Sequence, residues 1–278
     1  SDFAETFNGT NFGQGLDSIG DLNGDGVTDL IVGMDGDDTG AGFDHGAVYI
    51  LFLDTDGTLD SDGTNGSPVS GYQKIANNLG GLPDETLDGF GNFGYSVANI
   101  GDINNDGVTD VAVGALFQNL VYILFMNVDG SISGFQKVGN SQGDFSEDVS
   151  GEFFGSSVEG IGDINGDNVN DIAVGAYIDS VGGSNAGAVY VLFLEPDGTV
   201  LDIDGHVKIA DDTGGVTDVL DANDFFGIAI SSAGDVNEDG IQDLYVGAPT
   251  KDKGVVYLLE LDGTLPASGG ATPQPNPT

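Results

Sequence analysis

The sequence predicts an all-β fold built from four repeats, and three features support this prediction. A nine-residue acidic motif, Asp-x-Asn-x-Asp-x-x-x-Asp, occurs four times, and a short apolar run rich in β-branched residues follows each copy. A second apolar segment follows in every repeat, and an Asp-Gly pair typical of hairpin turns comes after it. Repeated units of four sequential antiparallel strands, apolar on both faces, stack radially as the blades of a β-propeller.

The acidic motif occupies residues 21–29, 102–110, 163–171 and 235–243. Side chains at positions 1, 3, 5 and 9, with the backbone carbonyl at position 7, can surround one hard cation, because a tight loop turns alternate residues inward. We therefore expect four Ca2+ ions. The predicted ligands are Asp21, Asn23, Asp25, Val27 and Asp29; Asp102, Asn104, Asp106, Val108 and Asp110; Asp163, Asn165, Asp167, Val169 and Asp171; Asp235, Asn237, Asp239, Ile241 and Asp243.

The motif differs from an EF-hand at position 12, where a bidentate Glu would end the loop on a helix. Valine stands there in all four copies, inside an apolar run, so the loop leads into a strand and the Asp at position 9 must close the site. Asn-Gly-Asp-Gly is also typical of plain turns between strands. Four copies with identical ligand types favour the metal site over a plain turn.

The charge balance excludes several classes of partner. The 278 residues include 46 acidic and five basic ones, with a formal net charge of −41 and no cysteine. Nucleic acids and anionic membrane surfaces would repel such a chain. The longest apolar runs, such as Leu120–Met126, are far too short for membrane insertion.

Millimolar calcium outside cells would load weak sites of this type, so we expect a secreted or cell-surface protein.

The spacing of the strands predicts which loops share a face of the propeller. We label the strands of one repeat A to D. The acidic motif joins A to B, the predicted C strands are 47–53, 121–126, 188–194 and 255–261, and three D strands contain Lys74, Lys137 and Lys208. In an antiparallel meander the A–B and C–D turns lie on one rim, whereas the B–C and D–A loops lie on the other. Calcium is therefore predicted on one face and the loops of variable length on the opposite face.

The order of motifs in each repeat resembles the FG-GAP repeat of integrin α-subunit propellers and of bacterial secreted or surface proteins. The resemblance rests on Phe-Gly pairs before the acidic motif, at 12–13, 93–94, 154–155 and 226–227, and on Val-Gly-Ala after it, at 113–115, 174–176 and 246–248. It covers residues 10–265 and implies a calcium-binding propeller whose calcium-free face docks ligands. The first repeat departs from the pattern with Gly33-Met34, and integrin heads have seven blades where this chain has four.

The predicted domain is a propeller of four four-stranded blades over residues 1–265, with repeats at about 10–79, 91–140, 152–212 and 224–265. Residues 266–278 have the Pro, Thr and Gly content of a linker or tail. The last blade is predicted to be incomplete, because no D strand follows Asp262-Gly263. Three alternatives remain open: the ring closes with three strands there, residues 1–8 supply the strand, or a partner does.

The sequence favours an extracellular interaction module that binds a protein or a polysaccharide through the B–C and D–A loops. Candidate contact residues in and near the long B–C loops are Phe43, His45 and Tyr177. The alternative is a structural unit of a surface layer, filament or large adhesin that self-associates through the open blade edge. The third hypothesis is an accessory domain of a secreted enzyme. The chain itself is not expected to be an enzyme, because its two histidines fall in non-equivalent places and form no recognisable catalytic motif.

Overall fold

The computed structural model describes residues 9–38, 44–60, 71–84, 86–201, 205–214, 216, 219–262 and 272–275. Within these ranges the chain forms four separate four-stranded sheets, one for each repeat, in which all neighbouring strands are antiparallel. The strand order in each sheet is the chain order, so each blade is a simple meander. The predicted fold class, an all-β propeller with four blades, is confirmed.

The strands lie close to their predicted places. Blade 1 contains β1 (Gly9–Gly20), β2 (Asp29–Asp37), β3 (Ala47–Leu51) and β4 (Tyr72–Ile75). Blade 2 contains β5 (Phe93–Gly101), β6 (Asp110–Ala115), β7 (Leu120–Met126) and β8 (Ile132–Val138). Blade 3 contains β9 (Phe154–Gly162), β10 (Asp171–Ala176), β11 (Ala188–Leu192) and β12 (His206–Ile209). Blade 4 contains β13 (Ile230–Gly234), β14 (Asp243–Ala248), β15 (Val255–Glu260) and β16 (Thr272–Pro275).

The hydrophobic core lies between the blades. Strands β6 and β10 are buried along their whole length, as expected for strands covered on both faces. One apolar cluster joins blades 1 and 2, a second joins blades 2 and 3, and a third joins blades 3 and 4. The first strand of each blade lines a shared central cavity of about 270 Å³. The blades are therefore arranged around a common axis, with their first strands innermost.

Two glycine motifs meet wherever one blade packs on the next. A Cβ atom on Gly33 of blade 1 would lie 1.9 Å from the carbonyl oxygen of Gly94 in blade 2. The same distance is 2.0 Å between Gly114 and Gly155, and again 2.0 Å between Gly175 and Gly227. We call this contact the interlock. Each interlock joins the glycine of Val-Gly in one blade to the Phe-Gly glycine of the next, so both motifs require glycine for space.

A serine hydroxyl reinforces two of the interlocks. Ser96 Oγ donates to the Gly155 carbonyl oxygen at 2.8 Å, and Ser157 Oγ donates to that of Gly227 at 2.8 Å. Gly94, Gly155 and Gly227 have φ values of +91°, +87° and +87°, which glycine adopts at little cost. Steric space and backbone conformation therefore select the same residue.

The fourth repeat itself supplies three strands to the last blade, as its sequence predicts. The fourth place in that sheet is taken by β16, from the segment predicted as a tail, which pairs antiparallel with β15. Sequence reasoning did not anticipate this strand. Two of its four residues are prolines, which are tolerated on an edge strand because the outer edge needs no N–H donor. Residues 1–8, the other candidate for this position, lie outside the described residues.

Two separate glycine-to-alanine substitutions in blade 2 test the interlock. Gly114→Ala is expected to lower the free energy of unfolding by about 1–3 kcal/mol, because its Cβ would overlap the Gly155 carbonyl and force the blades apart. Gly134→Ala in β8 is the matched control, since its Cβ would meet only ordinary contact at 3.6 Å. Urea denaturation of both variants measures the difference. Equal stability of the two variants would contradict the interlock.

Candidate metal loops and ligand-binding face

The four acidic loops fold in the same way, with the carboxylate at position 1 accepting backbone amides. Asp21 Oδ1 accepts the amides of Gly24 and Asp25 at 2.8 and 2.9 Å, and Oδ2 accepts that of Gly26 at 2.8 Å. The equivalent bonds from position 6 to position 1 measure 2.8, 2.8 and 2.9 Å in the other loops. Position 6 has positive φ in all four loops, including Asn168 at +72°, as its residue types predict.

The aspartate at position 9 is fully buried and connects two loops. Asp29 Oδ2 accepts the amide of Leu22 at 3.0 Å, and Asp29 Oδ1 accepts that of Leu53 at 3.1 Å. Leu53 follows β3, so one carboxylate joins the A–B loop to the start of the C–D turn. Asp110, Asp171 and Asp243 make the same pair of bonds in their blades. The acidic loops and the C–D turns therefore share one rim, which we call the acidic rim.

Burial raises the pKa of three of these aspartates. The pKa is about 6 for Asp29 and Asp110 and about 7 for Asp171. Hydrogen bonds from the two backbone amides oppose the rise, and the charges of loop carboxylates at position 5, or at positions 1 and 5, add to it. The carboxylates of one loop are thus close enough to repel each other. A cation bound among them would relieve this repulsion.

The loops do not form a closed cluster of acidic side chains. Across the described residues, no group of three His, Cys, Asp or Glu side chains converges tightly enough to hold a metal ion. Each loop instead offers a mixed set, in which Asn23 Oδ1 accepts the Asp25 amide at 3.1 Å and Asn23 Nδ2 donates to Asp25 Oδ2 at 2.9 Å. The side chains at positions 3 and 5 therefore contact each other, and the carboxylate at position 1 accepts the backbone amide of position 5.

The D-strand lysines lie over buried tyrosines of the neighbouring C strands. Their ammonium nitrogens are 5.2, 5.1 and 5.1 Å from the ring centroids in the pairs Lys74–Tyr49, Lys137–Tyr122 and Lys208–Tyr190. Lys74 also donates to Asp37 at 2.8 Å, whereas Lys137 donates to the Thr86 carbonyl at 2.9 Å. Cation–π contact with a tyrosine ring and a hydrogen bond to a nearby oxygen therefore hold Lys74 and Lys137 in place.

Blade 3 has the most heavily charged of these units. Lys208 forms an ion pair with the buried Asp179, and Tyr190 Oη donates to Glu152 Oε2 at 3.2 Å. Burial, together with the hydrogen bond and negative charge of Asp179, raises the pKa of Glu152 to about 7, against the attraction of Lys208. Glu152 precedes β9 and Asp179 follows β10. This cluster therefore ties a D–A loop to a B–C loop on the face opposite the acidic rim.

Four aromatic rings form a continuous row on that opposite face. Phe117, Phe153, Tyr177 and Phe225 have successive centroid distances of 5.4, 5.5 and 5.8 Å. Phe117 and Tyr177 come from B–C loops, Phe153 and Phe225 come from D–A loops, and the row spans blades 2 to 4. Phe117 is 55% exposed, and the other three side chains are half-buried. We call these four residues the aromatic row.

Two members of the aromatic row have an unfavourable backbone conformation. Phe153 and Phe225 have φ values of +57° and +56°, in the left-handed region that bulky residues avoid. The same position, immediately before Phe-Gly, is Asn11 in blade 1 and Asn92 in blade 2, also with positive φ. Asn adopts this conformation readily, whereas Phe costs about 1 kcal/mol or more. Blades 3 and 4 therefore bear strain that places two rings on the surface.

Of the three predicted contact residues, only Tyr177 lies in the aromatic row. His45 is buried, and its Nδ1 has no hydrogen-bond partner among the described residues. Phe43 lies outside them. Sequence reasoning missed Phe117, Phe153 and Phe225. A signal existed for two of them, since Phe-Phe-Gly occurs at 153–155 and 225–227 where the first two repeats have Asn-Phe-Gly.

The Glu152 cluster predicts a pH effect on stability. Glu152 binds a proton more tightly in the folded chain than at its ordinary pKa of 4.5, so its contribution to stability falls as pH rises from about 4.5 through 7. Glu152→Gln should therefore be more stable than the parent at pH 8, by about 1 kcal/mol after solvent screening, and equal to it near pH 5.

Thermal unfolding at both pH values, with calcium present throughout, measures this difference. Glu195→Gln is the control, because Glu195 is an exposed carboxylate in a C–D turn on the other rim. A Glu152→Gln variant with the same pH profile as the parent would contradict the assignment.

The comparisons with known proteins agree with this architecture. Residues 93–124, 154–192 and 226–259 match the FG-GAP repeat, and these stretches span the first three strands of blades 2, 3 and 4. No helix in the described part of the chain is long and apolar enough to cross a membrane. Blade 1 lies outside the matched stretches but has the same strand order and loop geometry.

Integrin α subunits are among the similar proteins. The chain is 32% identical over 161 residues to integrin alpha-PS5 of Drosophila melanogaster, and 34% identical over 177 residues to integrin alpha-2 of Mus musculus. These alignments cover 56% and 60% of this chain but only 14% and 13% of the relatives. The chain is thus an all-β propeller with FG-GAP repeats, similar in sequence to part of the integrin α subunits.

Proposed function

We propose that the chain is an extracellular, calcium-stabilised interaction module that binds a partner protein through the aromatic row. The observation that carries this proposal is the strained placement of Phe153 and Phe225, at positions where blades 1 and 2 have Asn. Strain of this type is found at functional sites, where the surrounding structure holds it in place. If these positions had only a structural role, Asn would be more favourable than Phe, because Asn adopts the left-handed region with less backbone strain.

The arrangement of the rings favours a protein over a polysaccharide. Successive ring planes in the aromatic row are inclined by 70°, 57° and 69°. The surface is therefore corrugated, and it fits side chains that insert between rings better than it fits the flat faces of sugar rings. Aromatic residues are enriched at protein interfaces, where a few of them supply most of the binding energy. The resemblance to integrin propellers supports the same face, since it implies docking on the calcium-free side.

Calcium is the proposed cofactor, with one ion in each acidic loop. The donors are carboxylates at positions 1, 5 and 9, the amide oxygen at position 3 and the carbonyl at position 7, which is the oxygen set that calcium prefers. Hydrogen bonds to loop amides do not exclude this role, because each carboxylate oxygen has two lone pairs. Bound calcium would stabilise the acidic rim by relieving repulsion among the loop carboxylates. Extracellular calcium concentrations would load such sites, which supports a secreted or cell-surface location.

Calcium removal and one loop variant test the proposed cofactor. Chelation should lower the melting temperature by many degrees, because calcium at 100 times Kd would contribute about 2.7 kcal/mol for each site. Asp106→Ala should remove one bound calcium of the four in a calorimetric titration. Asp129→Ala is the control. Asp129 lies in the C–D turn of the same blade, where its Oδ1 accepts a hydrogen bond from the backbone amide of Ser131 at 3.0 Å. A melting temperature that chelation leaves unchanged would refute the proposal.

The aromatic row can be tested with a substitution that preserves the fold. Phe153→Asn places in blade 3 the residue that blades 1 and 2 have in the same conformation. We expect stability to rise by about 1 kcal/mol, because the strain is relieved, while binding falls at least tenfold through loss of a central ring. Binding would be measured on arrays of immobilised extracellular matrix proteins and of glycans.

The control for that experiment is Val128→Asn, which replaces an exposed apolar residue on the acidic rim. It should leave binding unchanged. If the parent chain binds a protein and Phe153→Asn abolishes that binding, the proposal is supported. If the parent binds only glycans and Phe153→Asn abolishes that binding, the ligand is a polysaccharide. Binding that survives Phe153→Asn would exclude the aromatic row as the docking surface.

A further inference from the structure

The aromatic row consists of two halves, each held across a blade boundary by an asparagine. Asn119 Oδ1 accepts the backbone amide of Phe153 at 2.8 Å, which ties the B–C loop of Phe117 to the D–A loop of the next blade. The carbonyl oxygen of Asn185 accepts the amide of Phe225 at 3.2 Å, which joins blade 3 to blade 4 in the same way. The two halves are therefore Phe117 with Phe153, and Tyr177 with Phe225.

The junction between the two halves lies within blade 3, and two acidic residues flank it. Glu152 directly precedes Phe153, and Asp179 lies two residues after Tyr177. Tyr190 Oη lies 3.2 Å from Glu152 Oε2 and 3.4 Å from Asp179 Oδ2, so both carboxyl groups converge on one hydroxyl. A hydroxyl has a single proton and can donate fully to only one of the two acids.

Blade 3 is the only blade with acids at both of these positions, which are two residues before the Phe of Phe-Gly and four residues after the glycine of Val-Gly. Blade 4 has Asp224 and Lys251 there, and the ammonium nitrogen lies 3.3 Å from a carboxylate oxygen. Blade 2 has Gly91 and Gln118, neither of which is charged. Opposite charges thus join the two loops in blade 4, whereas like charges meet in blade 3.

The cations around the acid pair do not neutralise both carboxylates. The ammonium group of Lys208, on β12, is ion-paired with the buried Asp179. His206, also on β12, faces Glu147 at 3.3 Å. With Glu152 protonated, the acid pair and the ammonium group sum to zero charge. Without that proton, they have one excess negative charge in a partly buried place, where repulsion is strong.

We propose that a proton shared by this acid pair regulates partner binding by the aromatic row. With the proton in place, Glu152 can donate to Asp179, and the two halves stay in contact at Phe153 and Tyr177, whose ring centroids are 5.5 Å apart. When the proton is lost, the carboxylates repel each other and the two halves separate. The row then presents two smaller surfaces, so the partner binds more weakly. This proposal rests on the proposed function of the row as the docking surface.

The pH range follows from the pKa of Glu152, which is about 7. The pair is protonated at pH 6 and largely ionised at pH 8, so binding should be at least about fivefold weaker at pH 8. Coupling between two binding events is reciprocal, so partner binding near pH 7 should take up a proton. Glu152→Gln should bind equally at both pH values, because its neutral amide can also donate to Asp179.

Nuclear Overhauser effects between ring protons test the junction without a partner. In calcium at pH 6, we expect cross-peaks for each neighbouring pair of rings in the row. At pH 8 the cross-peak between Phe153 and Tyr177 should be lost, whereas the cross-peaks within each half should remain. Glu152→Gln should keep the junction cross-peak at both pH values. His206→Gln is the control, because it removes an imidazole but keeps the acid pair, and it should behave as the parent does.

Two results of the cross-peak measurement would overturn the proposal. One is a Phe153–Tyr177 cross-peak that is equally strong at pH 6 and pH 8 in the parent chain. The other is a loss at pH 8 that persists in Glu152→Gln or disappears in His206→Gln, because the acid pair would then not be the group responsible.

Binding of the full chain to the same arrays of matrix proteins and glycans, at pH 6 and pH 8, tests the regulation itself. A preference for pH 6 that Glu152→Gln abolishes supports the proposal. Equal binding of the parent at both pH values contradicts it, even if the cross-peak changes. Absence of binding at either pH would overturn the docking function and the regulation with it, and the cross-peaks would still show whether the junction responds to pH.

Discussion

The close approach of two backbones at each blade boundary is the constraint on which the propeller depends. The Phe-Gly carbonyl of one blade lies against the Val-Gly glycine of the preceding blade, with no room for a side chain between them. This contact fixes the distance between neighbouring sheets and therefore how well their apolar faces fill the space between them. Glycine costs backbone entropy in a strand. Burial of apolar surface over both faces of each inner blade offsets that cost.

Each blade also depends on a buried charge. The aspartate at position 9 accepts amides from its own loop and from the residues after the C strand, so its two oxygens hold the A–B loop and the C–D turn together. A buried carboxylate is costly unless its oxygens are hydrogen-bonded, and both oxygens are. The same residue begins the B strand, which leads to the glycine of the interlock. The acidic rim and the blade boundary are thus joined by five residues, from Asp110 to Gly114 in β6 and from Asp171 to Gly175 in β10.

Most of the fold could be predicted from the sequence because its determinants are local. Strand boundaries follow from apolar runs such as Leu120–Met126, and loop conformations follow from glycine or Asn168 at position 6. The features that the sequence did not predict are contacts between residues of different repeats. Nothing in the sequence near Gly114 shows that it meets Gly155, and Phe117 and Phe153 become neighbours only when their loops converge. Strand β16 was missed because its proline content is typical of a linker.

The loops on the two faces of the propeller differ in how much they vary between blades. On the acidic rim the loops keep the same spacing and the same hydrogen bond from position 6 to position 1 in all four blades. On the opposite face the equivalent residues diverge, so that Asn11 and Asn92 correspond to Phe153 and Phe225. The B strands run between the two faces and pair with a strand on each side. Variation among the loops of the opposite face is therefore tolerated because the blades beneath them are held at the other end.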